Sequence, residues 1–151
     1  MIIEPANADD LEEILALQKL AFQSEAERYN DDTLPPLTQT LEGIRADLER
    51  MVLLKASVDG RIVGSVRAYA KDGTCHIGRL VVHPDFQRRG IGRQLMHEIE
   101  RRFPHVQRFE LFTGHASTPA LRLYEGLGYT EIKRKALDTH TLVFLEKWNH
   151  E

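Results

Sequence analysis

Cysteine is almost absent from this chain: Cys75 is the only one in 151 residues. An intramolecular disulfide framework and a cysteine-rich zinc site are therefore excluded, and a reducing cytoplasm is the expected setting. The seven histidines show neither HxH nor HxxxH spacing, so no metal is expected. No apolar run approaches the roughly 18 residues of a membrane helix. The opening Met1-Ile2-Ile3-Glu4-Pro5 lacks the basic and long apolar regions of a signal peptide, and no membrane association is expected. A surplus of positive charge is missing too. The net charge is −3, which argues against a general nucleic-acid binder.

What is present suits one domain over residues 1–151, with 42% hydrophobic and 28% charged residues. The charge is unevenly spread. Residues 1–50 carry a net −8 and residues 79–102 a net +3. An acidic first third and a basic middle are compatible with a cationic acceptor and an anionic cofactor on different surfaces, or with two solvated helix faces.

Ile2 and Ile3 predict a short strand, and Asn7 or Asp9 a cap for a helix through Leu11, Ile14, Leu15 and Phe22. That helix is expected to end near Phe22, leaving residues 23–38, with Pro35-Pro36, as a long irregular stretch. A second helix through Ile44 and Leu48 follows. The turns Asp59-Gly60 and Asp72-Gly73 then join three meandering strands, Val52 to Val58, Ile62 to Tyr69 and Cys75 to Val82. Leu95, Met96, Ile99 and Phe103 mark an amphipathic helix, Val106 to Phe112 a strand, and Ser117 to Leu127 a helix stopped by Gly128. Tyr129 to Arg134 and Thr139 to Leu145 complete an α/β order of β-α-α-β-β-β-α-β-α-β-β, with a mixed, mostly antiparallel sheet of about seven strands.

The chemistry concentrates at Leu80-Val81-Val82-His83-Pro84-Asp85-Phe86-Gln87-Arg88-Arg89-Gly90-Ile91-Gly92-Arg93. A strand enters a tight loop, glycines permit close backbone approach, and a helix begins with its first N–H groups unpaired. Such a helix end holds phosphate, and Arg88, Arg89 and Arg93 add positive charge beside it. No Gly-Lys-Ser/Thr follows, so this is not a Walker loop. Leu95 occupies the position where a dinucleotide fingerprint needs a third small residue.

Gln87-Arg88-Arg89-Gly90-Ile91-Gly92 resembles the pyrophosphate loop of the GNAT acetyltransferase superfamily, Gln/Arg-x-x-Gly-x-Gly/Ala. Ala120-Leu121-Arg122-Leu123-Tyr124-Glu125-Gly126-Leu127-Gly128-Tyr129 is similar to its second signature, with Tyr129 in place of phenylalanine and Ser117 where many members have asparagine. The resemblance implies an N-acetyltransferase using acetyl-CoA as co-substrate on a small-molecule amine or peptide acceptor by direct attack in a ternary complex. It implies that Leu80, Val81 and Val82 flank the pantetheine arm, that residues 88–93 hold the pyrophosphate, and that Ser117 and Tyr124 face the cofactor. A homodimer is compatible with it. An acyl-CoA sensor without turnover, or an enzyme acting on a protein lysine or N-terminus, would keep the same loop.

Acyl transfer to an amine needs a proton acceptor and a proton donor for the leaving thiolate. Imidazole suits the first task. His76 lies eleven residues before Gln87, the offset at which some peptide-acetylating members place a glutamate base, and it shares strand parity with Gly78 and Leu80 in the absence of a bulge. Glu25, Glu27 and Asp31 are the alternative acceptors. Tyr124 occupies the family's general-acid position. Arg67, Tyr69 and Arg79 are strand residues that could line the acceptor pocket and hold an acceptor carboxylate, or serve only the solubility of an edge strand.

Overall fold

A computed structural model describes residues 1–150. Seven strands form one sheet: β1 (Ile2–Pro5), β2 (Val52–Val58), β3 (Arg61–Lys71), β4 (Thr74–Val82), β5 (Arg108–Gly114), β6 (Thr130–Ala136) and β7 (Thr141–Trp148), in the order β1-β2-β3-β4-β5-β7-β6. The aspartate–glycine turns place Asp59 and Asp72 at φ 52° and the glycines after them near 80°, the twist that closes two-residue hairpins. All pairings are antiparallel except β4 with β5. Both the α/β class and the mostly antiparallel sheet agree with expectation.

Five α-helices cover the sheet: α1 (Leu11–Tyr29), α2 (Pro35–Thr38), α3 (Leu41–Arg50), α4 (Ile91–Arg101) and α5 (Thr118–Gly126). On one face Leu95, Met96 and Ile99 of α4 and Tyr124 of α5 pack with Cys75, Ile77 and Phe109. On the other, Leu11, Ile14 and Leu17 of α1 and Ile44 of α3 pack with Leu53, Ile62 and Val81. Gly64 makes the first packing possible. A Cβ there would stand 2.9 Å from Leu95 Cδ1 and 3.1 Å from Ile91 Cγ2.

The expected end of the first helix near Phe22 is wrong. A capping box at Asn7 and Asp10 starts the segment, and the helix runs on to Tyr29, ending at Asn30 in the left-handed region at φ 49°. Nothing from Gln23 to Tyr29 breaks a helix, and Ala26 and Tyr29 extend its buried face beyond Phe22. Proline acts only at Pro35, and there it begins the extra short helix α2.

Candidate active site

Strands β4 and β5 pair as Thr74↔Arg108, Cys75↔Phe109 and His76↔Glu110, and there the pairing stops. Beyond His76 the two strands part, leaving the facing edge of β4 without a partner strand. A cavity of about 670 Å³ opens there, lined by His76 to Leu80 of β4, Glu110 to Gly114 of β5, Tyr124, and residues of α1, α2 and α3. Unpaired backbone edges in a sheltered cleft are hydrogen-bonding sites awaiting a ligand, because buried amides and carbonyls need partners.

A bulge shapes this edge. Arg67 pairs with Gly78 but Ser65 with Val81, so β4 carries one extra residue, and Arg79 takes φ 54°. The parity that would align His76 with Leu80 is broken by it. Leu80 packs with Cys75 and Ile77 on the α4 face, whereas Val81 packs with α1 and α3 on the other. His76 therefore keeps the phase of Gly78 only.

At the far end of β4, α4 begins without a side-chain cap and without an acidic residue in its first turn. The first amide bonded along it is that of Gln94, to Gly90 O at 3.0 Å. The amides of Ile91, Gly92 and Arg93 precede it and point out of the helix end. Gly90 stands at φ 80°, and a Cβ on it would meet no atom within 4 Å. The left-handed glycine and the open space before it fit an anion cradled by main chain. Arg88, Arg89 and Arg93 are exposed around it, with the Arg89 guanidinium 4.9 Å from the centre of the Phe86 ring.

Tyr124 is 8% exposed, and among the described residues its hydroxyl has no hydrogen-bond partner. Burial, and secondarily the charge of Glu25, push the phenol up well above its ordinary value, so it stays protonated and able to donate. His76 stacks on Tyr69 with ring centres 5.0 Å apart, and its Nδ1 lies 3.5 Å from Glu110 Oε2. Glu110 itself is held by Arg108 at 3.2 Å. Burial pushes the Cys75 thiol up to about 12, so it is a packed side chain rather than a ready thiolate.

Ser117 lies at the cavity wall with its hydroxyl engaged. Its Oγ donates to Glu25 Oε2 at 2.7 Å and accepts from the Tyr29 hydroxyl at 2.8 Å, while Tyr29 Oη accepts from the Ala116 amide at 3.0 Å. This network ties the end of α1 to the β5–α5 loop. Of the other acids considered as bases, Glu27 is exposed and Asp31 is occupied by Thr33 and Thr139. A second network was not legible in the sequence: buried Arg67 is clasped by Asp47 at 2.8 Å, Gln18 at 2.6 Å and Gln39 at 3.2 Å. Its members are separated by up to 49 residues, and no local spacing connects them.

A sequence profile of the acetyltransferase (GNAT) family matches residues 11–129, which contain the parted strands, the glycine-led helix and Tyr124. The chain belongs to the GNAT acetyltransferase family. Among relatives of this GNAT member, the UPF0157 protein YqkA of Bacillus subtilis (strain 168) is 33% identical over 117 residues, covering 78% of this chain and 34% of the relative. The mycothiol acetyltransferase of Nocardiopsis dassonvillei is 37% identical over 101 residues, covering 64% of this chain and 30% of the relative. The chain thus spans about a third of the length of these curated relatives. The PaiA N-acetyltransferase from Thermoplasma acidophilum, solved in complex with coenzyme A, superposes with a TM-score of 0.79 over 97% of this chain and 98% of that one. At 14% identity that likeness concerns the fold.

Proposed function

We propose that this GNAT domain is an acetyl-CoA-dependent N-acetyltransferase that acetylates a primary amine by direct attack in a ternary complex. The observation that carries the reading is the parting of β4 from β5 beside the largely buried Tyr124, whose hydroxyl has no partner among the described residues. Acetyl-CoA supplies the thioester whose acetyl group is transferred. The chain's own groups would do the rest.

The amides of Ile91, Gly92 and Arg93, with Arg88 and Arg89 beside them, suit the pyrophosphate, and the freed edge of β4 from Leu80 to Val82 suits the amide-bearing arm. A main-chain N–H on that edge can donate to the thioester oxygen as negative charge grows there, at no cost of reorganisation. As the amine nitrogen forms its bond to the carbonyl carbon and the carbon–sulfur bond breaks, one proton must leave the nitrogen and one must reach the sulfur. His76 is the acceptor for the first, oriented by Tyr69 and with Nδ1 turned to Glu110. Tyr124 serves the second: burial keeps its hydroxyl protonated, so it can hydrogen-bond the leaving sulfur and pass it a proton as negative charge gathers there. Ser117 contributes by fixing the loop before α5 rather than through a free hydroxyl.

Thiol release from acetyl-CoA across a panel of amines tests this reading. Tyr124→Phe should lower kcat by about a hundredfold or more while the affinity for CoA changes little. An unchanged kcat removes Tyr124 from the reaction. Tight CoA binding without thiol release for any small amine or peptide identifies a sensor instead. Release only with an intact protein acceptor points to a lysine or an N-terminus.

A further inference from the structure

The charged side chains that line the cavity are Glu25, Asp47, Glu110, Arg67 and Arg79, together with His76 and His140. All but one of the fully charged groups are matched. Glu25 holds Arg28 at 2.7 Å, Glu110 holds Arg108 at 3.2 Å, and Asp47 holds Arg67 at 2.8 Å and Arg50 at 3.1 Å. Of the charged groups lining the cavity, Arg79 alone has no carboxylate within 4.0 Å and no hydrogen bond from its side chain among the described residues.

The position of Arg79 is unusual in a second way. It occupies the bulge of β4 at φ 54°, where glycine is unstrained, although Gly78 stands next to it in the chain. Such strained backbone is held in place by the surrounding strands and clusters at functional sites. Its guanidinium is half-buried. Burial pulls it below its ordinary range, and Asp47 is the only acid opposing that effect. Arg67 senses the charge of Arg79 as well, so the pair leans on a single buried carboxylate. Asp47 is in α3, on the sheet face opposite α4, so Arg79 does not belong with the arginines of the glycine-led helix end.

From this unpaired guanidinium in the cavity wall, we infer that the acceptor amine carries a carboxylate, received by Arg79, as in a free amino acid. The inference rests on the acetyltransferase reading above and names its acceptor class. A planar guanidinium matches a carboxylate with two parallel N–H donors, and partial exclusion of water strengthens the contact. Phe22, Leu34, Met51, Phe112 and Leu142 line the same cavity, so the rest of the acceptor is apolar. The acidic first third of the sequence does not oppose this. Its acids at the cavity, Glu25 and Asp47, are already neutralised by arginines.

Two matched pairs differing only in the carboxylate test it: phenylalanine against phenethylamine, and leucine against isoamylamine. Each is assayed by thiol release from acetyl-CoA and, separately, by calorimetric binding to the protein saturated with CoA. The acid of each pair should be favoured in kcat/KM by about tenfold or more, and Arg79→Gln should collapse that ratio through KM. Arg79→Lys, which keeps the charge but not the fork, should retain part of it. Melting temperature and a CoA titration establish that each variant is folded. Equal use of both members, preference for the decarboxylated amine, or a ratio unmoved by Arg79→Gln would overturn the inference while leaving the acetyltransferase intact. If no amine is turned over, binding decides: phenylalanine or leucine bound in the wild type and lost in Arg79→Gln sustains the carboxylate site, and no binding of either overturns it. Absence of CoA binding, by contrast, strikes the proposed function itself.

Discussion

The two ends of the cavity are built by different means. At the glycine-led end, the polar lining comes mostly from main chain: unpaired amides of the first turn of α4 behind Gly90 in the left-handed region, with exposed arginines around them that no acid neutralises in that turn. At the other end it comes from side chains brought from α1, α2, α3 and β3, locked by Arg67, Asp47, Gln18 and Gln39 on one side and by Tyr29, Ser117 and Glu25 on the other. The first needs only a short stretch of chain in the right conformation. The second needs the whole fold, so the two ends should respond differently to substitution.

The sharpest contrast should come from Asp47→Ala. It leaves Arg67, which is 3% exposed, beside Arg79 with no carboxylate between them. Breaking such a buried pair costs about 3–5 kcal/mol, read as a lowered melting temperature and denaturant midpoint. Well below that temperature, CoA affinity should stay within about twofold of wild type, since α3 and α4 lie on opposite faces of the sheet. A large loss of CoA affinity in the folded variant would show that the ends are coupled rather than separately built.

A smaller effect should mark the zipped base that both ends share. Cys75 has its pKa raised from 9.0 to about 12, chiefly by burial and secondarily by Glu100. The unfolded chain therefore loses this proton first as pH rises through 9, and the folded state loses stability from there toward 12. The loss from this group is about 1.4 kcal/mol by pH 10, and Cys75→Ala should make the alkaline decline of the melting temperature shallower. An identical decline in the variant would mean that the paired base of β4 and β5 is open to water.

The smallest effect is expected at the main-chain end. Arg89→Ala should weaken CoA binding by only about two- to fivefold, and the difference should fade as salt is raised, because the charge is exposed. A far larger, salt-insensitive loss would mean that side chains rather than amides hold the anion.

Much of the fold was legible because it follows local rules. Asp59-Gly60 and Asp72-Gly73 form hairpin turns, and the apolar spacing at Leu95, Met96 and Ile99 becomes the buried stripe of α4. The loop from Gln87 to Arg93 could be read for the same reason, since its positive-φ glycine and uncapped helix start are properties of neighbouring residues. The end of α1 is not legible locally, because the polar composition of residues 23–29 reads as irregular chain. Glu25 and Tyr29 are polar because they face the cavity network, not because the helix has stopped.

The bulge at Arg79 left no mark in the sequence. Gly78 is the residue that local preference would place in a left-handed conformation, yet the strain falls on the arginine beside it. Its neighbour β3 sets the register on one side, and the departing β5 frees the other. Tyr129 shows the same limit in milder form. As an aromatic it is legible as core, but only the fold shows its hydroxyl donating to Glu100 at 2.8 Å.

The sequence by itself determined the α/β order, the hairpin turns and the uncapped, glycine-led start of α4, because each depends on conformational preferences within a few residues. Tertiary structure alone decided where β4 and β5 part, which face His76 shares, and that Arg79 is left without a partner. Those outcomes depend on strand register, and on carboxylates from distant segments competing for the same arginines.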